Sequence, residues 1–165
     1  MKLKIITYPN PILAEKSKKI SGIDESIKKL ASDMAETMTD YGDKNEVGVA
    51  IAAIQVGVPL RMTVVKNEQD YLAIINPEIV KHSKDEIEET EGCMSVPKKY
   101  GPVKRYKKIK VRGLDLNGKK IEIKAEGFQA RVLQHEIDHM NGKLFLNRVK
   151  EENLLTLTDD GKLTK

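Results

Sequence analysis

The chain has 165 residues, of which 39% are hydrophobic and 33% charged, and its formal net charge is +4 at pH 7. A chain of this length closes one apolar core, so we expect a single domain over residues 1–165. The composition excludes a collagen-like chain, a disordered chain and a membrane span. The net charge allows weak attraction to anionic surfaces such as RNA, but it favours a solvated, lysine-rich surface.

A single cysteine, Cys93, cannot form an internal disulfide, so no oxidising compartment is required. The first residues lack the long apolar stretch of a secretion signal, and turn-forming residues begin at Tyr8-Pro9. The absence of Trp leaves few stacking platforms for single-stranded nucleic acids. We therefore expect a cytoplasmic protein, of bacterial type or in an organelle, with no membrane or DNA partner.

An amphipathic helix is the first predicted element. Ser21 and Asp24 are candidate N-cap residues, and Tyr41 and Gly42 predict the end of the helix. Apolar residues recur between them at helical spacing. These positions are Ile27, Leu30, Ala31, Met34 and Met38.

Two short segments after this helix are rich in strand-forming residues. They span residues 60–65 and 71–75, and the polar residues between them can turn the chain. The pattern predicts an antiparallel strand pair.

A β-hairpin is predicted further along the chain. Residues 109–116 and 121–125 are strand-like and flank Asn117-Gly118, a pair that readily supplies the positive φ of a tight turn. Gly113 interrupts the alternation of apolar and polar residues, so we expect a bulge there.

A second helix is predicted over residues 128–140, where apolar residues follow helical spacing and Asn141-Gly142 provide a C-terminal cap. From about residue 150 we expect one short helix followed by a frayed tail. The pattern indicates the α+β class, with antiparallel strands packed around the second helix and another helix near the N-terminus.

The strongest chemical signal is the run His135-Glu136-Ile137-Asp138-His139 inside the second predicted helix. At about 100° per residue, the two histidines lie roughly 40° apart, and Glu136 lies on the same face. Two imidazoles one turn apart can bind a single cation, and the carboxylate can reach a water on that cation. The alternative is that both histidines only satisfy hydrogen bonds, because short motifs also match by accident.

A metal held by two imidazoles needs a further ligand. Downstream, Phe145 stands where the extended zinc-protease pattern requires a histidine, and Glu151 and Glu152 lack a supporting helix. Upstream, Cys93 follows Gly92 in a segment that can bend around a metal. A lone cysteine is more often a small buried hydrophobe. Together with the histidine pair, however, Cys93 completes a set that leaves one position open for water, as in catalytic sites.

Three motifs resemble those of the peptide deformylase family, in the family's order and over about residues 4–148. The first is Gly48-Val49-Ala50-Ile51-Ala52-Ala53-Ile54-Gln55. The second is Glu91-Gly92-Cys93-Met94-Ser95, and the third is the histidine run.

This resemblance implies a deformylase-type α+β fold and a metal-dependent hydrolase. The implied reaction removes the N-formyl group from the N-terminal formyl-methionine of newly synthesised polypeptides and releases formate. Cys93, His135 and His139 would hold one Fe2+ per chain, with Zn2+, Ni2+ or Co2+ as substitutes. The implied partners are N-formyl-methionyl peptides and nascent chains, together with a weak association with the ribosome.

The resemblance also implies roles for other residues. Glu136 would accept a proton from the attacking water and deliver one to the departing amine. The side-chain amide of Gln55 and the backbone N–H of Met94 would stabilise charge on the formyl oxygen. Taken alone, Gln55 is equally typical of a satisfied buried amide. The expected substrate-binding residues are Gly48, Val49, Ala50, Phe128 and Val132.

Ala50 and Lys98 stand where the family usually has glycine. A methyl group at residue 50 would crowd an approaching peptide or exclude a positive φ, although the metal ligands would stay intact. This leaves open an alternative, a deformylase-like protein that binds formyl-methionine peptides with little turnover. A metallopeptidase is disfavoured by the cysteine ligand and by the missing downstream ligand.

The remaining polar motifs receive structural interpretations. We expect His82 to be solvated in a polar loop and the basic run of residues 104–108 to form a solvated strand edge. Asp138 and Arg105 are candidates for a structural ion pair.

Overall fold

The computed structural model describes residues 1–45, 48–68 and 70–165. Within them, the α+β class is confirmed: two α-helices accompany two antiparallel sheets. The elements are α1 (Glu25–Asn45), β1 (Ala50–Ala52), β2 (Met62–Lys66), β3 (Tyr71–His82), β4 (Glu86–Cys93), β5 (Val96–Tyr106), β6 (Lys108–Leu114), β7 (Lys120–Glu126), α2 (Gly127–Met140), β8 (Leu155–Leu157) and β9 (Leu163–Thr164). Short 3₁₀ turns lie at Pro11–Ala14, Ala53–Val56, Phe145–Arg148 and Glu151–Asn153. Neither described helix has the length and apolar character needed to cross a membrane.

One sheet has the strand order β1-β2-β3-β6-β7, and the other has the order β4-β5-β8-β9. The predicted antiparallel pair is confirmed, because β2 and β3 pair from Met62 opposite Ile75 to Lys66 opposite Tyr71. The predicted hairpin is confirmed as β6 and β7, with the tight turn at Gly118 in positive φ.

The bulge expected at Gly113 is confirmed between β3 and β6, where Asn76 and Pro77 lie opposite Gly113 between the pairs Ile75–Leu114 and Glu78–Arg112. Between β6 and β7, Gly113 pairs in register with Ile121. A Cβ added at Gly113 would lie 2.9 Å from both Ile74 Cγ2 and the backbone oxygen of Ile75. The glycine therefore allows β3 to approach β6 closely.

Helix α1 begins as predicted, because Oδ1 of Asp24 accepts the backbone N–H of Ile27 at 3.1 Å. The predicted end at Tyr41 and Gly42 is wrong, since the helix continues to Asn45. Gly42 does not end the helix but allows Gly48 to pack closely against it. A Cβ added at Gly48 would lie 2.9 Å from the backbone nitrogen of Gly42, so the first motif passes close against the helix.

The second predicted helix is confirmed as α2, which ends at Met140. Asn141 caps the helix, and Gly142 follows with φ of +73°. One face of α2 packs against the five-stranded sheet through a buried apolar cluster. Its members are Ile74, Ile109, Val111, Ala125, Ala130, Leu133 and Ile137. Burying each large side chain stabilises the helix by about 1.5–3 kcal/mol. The opposite face of α2 carries His135 and Glu136, which line a cleft.

The end of the chain holds the predicted short helix as a single 3₁₀ turn, Glu151–Asn153. The expected fraying is wrong, because β8 and β9 form a hairpin that joins β5, with Lys99 opposite Thr156. The edge of β5 offers unpaired backbone groups to this segment, which explains why it is ordered as strand.

His82 ends strand β3 rather than lying in a loop, so that prediction is wrong about its setting. Its ring is exposed but stacks on Tyr106, with ring centroids 3.8 Å apart. The stack joins the end of β3 to the basic run, because Tyr106 is one of residues 104–108.

The N-terminal arm, residues 3–20, lies across three distant parts of the chain. Its backbone N–H groups at Ile6 and Tyr8 donate to the carbonyls of Gln55 and Ser95, both at 2.7 Å. The N–H of Ser17 donates to the carbonyl of Met140 at 2.9 Å. The arm thus connects the 3₁₀ turn after β1, the turn before β5 and the end of α2.

Candidate active site

A cleft of about 340 Å³ opens between the first motif, the adjoining ends of β4 and β5, and one face of α2. Ten of the residues that the sequence predicted for the site line it. These are Gly48, Val49, Ala50, Gln55, Cys93, Met94, Phe128, Val132, His135 and Glu136. His139 lies behind them and is almost fully buried. The fold therefore brings all three motifs to one place.

Three potential metal donors meet at the base of this cleft. The Nε2 atom of His139 lies 3.3 Å from Sγ of Cys93 and 3.2 Å from Nε2 of His135. All three donor atoms lie within 4.8 Å of one another. Tetrahedral coordination, with metal–sulfur near 2.3 Å and metal–nitrogen near 2.0 Å, separates neighbouring donors by about 3.3–3.6 Å. The spacing fits a single ion.

Two polar atoms beside these donors are buried and have no hydrogen-bond partner among the described residues. They are Oε2 of Glu136 and Nδ1 of His139. Burial raises the pKa of Glu136 to about 7, which suits a group that both accepts and gives a proton near neutrality. Burial also holds the pKa of His139 well below its usual value, so its imidazole is neutral and can bind a metal.

Glu91 fixes the orientation of His135. Its Oε1 lies 2.9 Å from Nδ1 of His135, so a proton on Nδ1 can be donated to the carboxylate. That arrangement leaves the lone pair of Nε2 directed at the other donors. Burial opposes ionisation of Glu91, but hydrogen bonds from Arg105 and His135 hold its pKa well below the usual value.

Glu91 belongs to a larger buried ion network, which we define as Glu91, Arg105, Arg131 and Asp138. Arg105 donates to Glu91 at 2.8 and 2.9 Å and to Asp138 at 2.5 Å. Arg131 donates to Glu91 at 2.6 Å. The half-exposed Arg148 also donates to Asp138, at 2.6 and 2.9 Å. The network links β4 and β5 to α2.

This network confirms the candidate pair of Arg105 and Asp138 and corrects one prediction about the basic run. Arg105 is only 3% exposed, so it does not belong to a solvated edge. Its neighbours Lys104, Lys107 and Lys108 are exposed, as expected. The side chain of Arg105 points into the protein because it pairs there with the carboxylates of Glu91 on β4 and Asp138 on α2.

Gln55 is held by its backbone surroundings with its amide directed at the donors. Its Oε1 accepts the N–H of Ala52 at 2.9 Å. Its Nε2 donates to Oγ of Ser95 at 3.1 Å and lies 3.6 Å from Sγ of Cys93. The side chain is therefore a satisfied buried amide that also faces the site. Ser95 had no predicted role, although it belongs to the second motif.

Apolar residues form the open part of the cleft. Val49 is 41% exposed and Phe128 is 65% exposed, which is high for apolar side chains. Ala50 lies in β1 opposite Val65 and is not among the residues with positive φ. Its methyl group therefore causes no left-handed strain. Lys98 does have positive φ, at +63°.

Sequence reasoning missed several lining residues, including Tyr41, Thr90, Pro97 and Tyr100. Tyr41 was interpreted only as part of a helix end. Tyr100 lies beside Gly92, where an added Cβ would come within 2.5 Å of its ring. The sequence spacing does not reveal that these residues lie near the cleft, because their positions depend on how separate elements pack together.

A sulfur and two imidazoles that fit one ion, next to an unpaired buried carboxylate and an open apolar cleft, define a single-metal hydrolase site.

Comparison with known proteins identifies the hydrolase more closely. The sequence model described as polypeptide deformylase matches residues 2–154. Peptide deformylase of Dictyoglomus thermophilum is 47% identical over 147 residues, covering 89% of this chain and 92% of that protein. The crystal structure of peptide deformylase from Ehrlichia chaffeensis has a TM-score of 0.86 at 38% identity, covering 92% of this chain and 90% of that one. The Met-Ala-Ser bound structure of class I type b peptide deformylase from Acinetobacter baumannii has a TM-score of 0.83 at 33% identity, covering 90% of this chain and 99% of that one.

The chain belongs to the polypeptide deformylase family. It is a metal-dependent hydrolase that removes the N-formyl group from newly synthesised polypeptides. The resemblance inferred from the three motifs is confirmed. The alternative of peptide binding with little turnover is not favoured.

Proposed function

We propose that Cys93, His135 and His139 hold the catalytic metal and that the cleft receives the formyl-methionyl end of a nascent chain. The observation that carries this proposal is the approach of three donor atoms to within 4.8 Å, at separations suited to one ion. When bound, the metal lowers the pKa of a water and polarises the formyl oxygen.

Glu136 is the residue that moves the proton. It accepts a proton from the attacking water as the water oxygen bonds to the formyl carbon. It then delivers this proton to the methionine nitrogen as the carbon–nitrogen bond breaks, so that formate and a free amine leave. The unpaired Oε2 and the pKa of about 7 support both steps.

Gln55 and Met94 stabilise the negative charge that develops on the formyl oxygen. One N–H of the Gln55 amide is used by Ser95, and the long 3.6 Å contact to sulfur leaves the other able to turn to the substrate. The backbone N–H of Met94 is the second donor. Loss of one such donor typically costs about 3 kcal/mol of transition-state stabilisation.

The substrate backbone pairs with the free edge of β1, next to Gly48, Val49 and Ala50. The support is that β1 is an edge strand of its sheet, and such an edge can accept an added strand. Val49, Phe128 and Val132 surround the methionine side chain, which gives a reason for their partial exposure. The relative from Acinetobacter baumannii binds Met-Ala-Ser, a peptide that begins with a free methionine, as the product of this reaction does.

Fe2+ is the proposed resident metal, supported by the family resemblance of all three motifs. A thiolate and two imidazoles also accept Zn2+, Ni2+ and Co2+. Elemental analysis of protein purified without oxygen tests this assignment. Zinc in place of iron at one ion per chain would contradict it.

Residues 1–165 act as a single catalytic domain in the cytoplasm. The support is the pairing of the terminal hairpin with β5, and a lone thiol that a reducing compartment would keep available. The net charge of +4 supports a weak association with ribosomes. Sedimentation of the protein with ribosomes at increasing salt tests this association.

Formate release from formyl-Met-Ala-Ser tests the function directly. Metal-loaded protein should release formate, and Glu136→Gln should reduce kcat/KM by about 10²–10⁴-fold. The matched control is Glu152→Gln, an exposed glutamate in the terminal 3₁₀ turn, which should keep full activity. Unformylated Met-Ala-Ser serves as the substrate control. Formate release that does not depend on Glu136 would refute the proposed role.

A further inference from the structure

The cleft presents one strongly exposed charge among its described lining residues. Glu91, Arg131 and Glu136 are buried, and the first two pair with each other. His135 is also largely covered. Lys98 is the exception, because its side chain is 64% exposed. An anion entering the cleft would meet this ammonium group first.

The backbone places Lys98 at the rim. Met94 and Val96 precede it along the chain and are buried, whereas Lys98 is exposed where β5 leaves the site. Its φ of +63° lies in the left-handed region, which lysine rarely adopts. A strained, exposed residue at a substrate cleft points to a functional role.

The partner of Lys98 among the described residues is a weak one. Its Nζ lies 3.3 Å from Oδ1 of Asp159, and the side chain of Asp159 is 99% exposed. Exposed pairs of this kind contribute little free energy, so a substrate carboxylate can replace Asp159. Asp159 stays close because Lys99 pairs with Thr156 in the terminal hairpin.

We propose that Lys98 selects peptides that carry a carboxylate at the second or third residue. This inference rests on the proposed function of the cleft. With the formyl group at the metal donors, the peptide advances about 3.3–3.6 Å per residue towards the rim. The flexible stem of lysine then brings its charge to the residues that follow the methionine.

Amidated peptides test this selection without interference from a terminal carboxylate. We expect kcat/KM to be about three- to tenfold higher for formyl-Met-Ala-Asp-amide than for formyl-Met-Ala-Lys-amide at low ionic strength, mainly through KM. Formyl-Met-Asp-Ala-amide and formyl-Met-Lys-Ala-amide test the second residue in the same way. Formyl-Met-Ala with a free or an amidated C-terminus shows whether a terminal carboxylate is also selected. Added salt should reduce each preference.

Variants of the rim assign the preference to one side chain. Lys98→Met, which keeps the length of the side chain, should bring the acidic-to-basic ratio close to one, and Lys98→Glu should invert it. Asp159→Asn should raise the ratio about twofold by releasing the lysine. The matched control is Lys124→Met on β7, an exposed lysine that does not line the cleft and that should leave the ratio and the basal activity unchanged.

An unchanged ratio in Lys98→Met would overturn the proposal. Glu136-dependent formate release from formyl-Met-Ala-Ser is measured in parallel for every variant. If that release persists while the ratio does not respond to Lys98, only the selection is refuted. If the native protein releases no formate, the proposed function itself fails.

Discussion

The molecule is held together on the two sides of its site by different kinds of interaction. Behind α1 lies an apolar core that includes Ala31, Met34, Met38, Ile51 and Ile75. Behind the metal donors lies the buried ion network, in which Arg105 bridges Glu91 and Asp138. Apolar packing is non-directional and holds the helix against its sheet. Hydrogen-bonded charges are directional, so the network sets which way His135 points.

The two regions also differ in their energetic cost. Burying apolar surface is favourable in itself, whereas burying charges is unfavourable unless each charge is paired. The network therefore orients His135 rather than adding much net stability. The loss of one of its members should lower the affinity for the metal. Substitutions in each region can separate these contributions.

Arg105→Ala should have the largest effect. It leaves Glu91 and Asp138 buried with fewer partners, which should lower the free energy of unfolding by about 3–5 kcal/mol. Because Glu91 also positions His135, metal affinity should fall about 10–100-fold. Urea unfolding and metal titration measure the two effects. Metal affinity equal to that of the native protein would contradict the positioning role.

Met34→Ala should come next and should affect stability alone. Met34 lies on the buried face of α1, and its truncation should cost about 2–4 kcal/mol. Metal affinity should stay within about twofold of the native value once the protein is folded, because the cavity does not touch the donors. An affinity loss as large as that of Arg105→Ala would erase the proposed distinction between the regions.

Gly113→Ala tests a close contact between the strands β6 and β3, outside the ion network. The added methyl would lie 2.9 Å from Ile74 Cγ2 and the oxygen of Ile75, and overpacking of this kind should cost about 1–3 kcal/mol. Thermal unfolding measures the change, with Gly22→Ala as a control where φ is not positive and an added Cβ meets nothing within 4 Å. Equal losses in both variants would contradict a role for the contact with β3.

Arg112→Ala should have the smallest effect. Arg112 pairs with Glu122 on the outside of the sheet, and its side chain is 63% exposed. Exposed pairs of this kind are worth little, so neither the unfolding midpoint nor metal affinity should change appreciably. A loss comparable to that of Arg105→Ala would mean that burial does not distinguish the two arginines.

The sequence predicted the three potential metal donors that the fold brings together, because their signal is local. The spacing of His135 and His139 needs only the geometry of one helix, and Cys93 is the single thiol of the chain. The C-terminal end of α2 was also predictable, because Gly142 follows it and adopts positive φ.

Other features depend on contacts between distant segments. Gly42 predicts the end of a helix unless Gly48 is seen to pack against it. Arg105 is predicted to be solvated until Glu91 and Asp138 are known to meet it. Strand β8 has too few residues to be recognised before β5 supplies its partner. Each of these errors concerns a residue whose conformation is decided by another element.

The N-terminal arm has a consequence for the order of folding. Its hydrogen bonds connect Ser17 to Met140 and Tyr8 to Ser95, contacts that close very long loops. Loops of this size are entropically expensive to close, and proteins rich in such contacts fold slowly. The cleft therefore takes its final shape only when segments as far apart as residues 8–17 and 95–140 have come together.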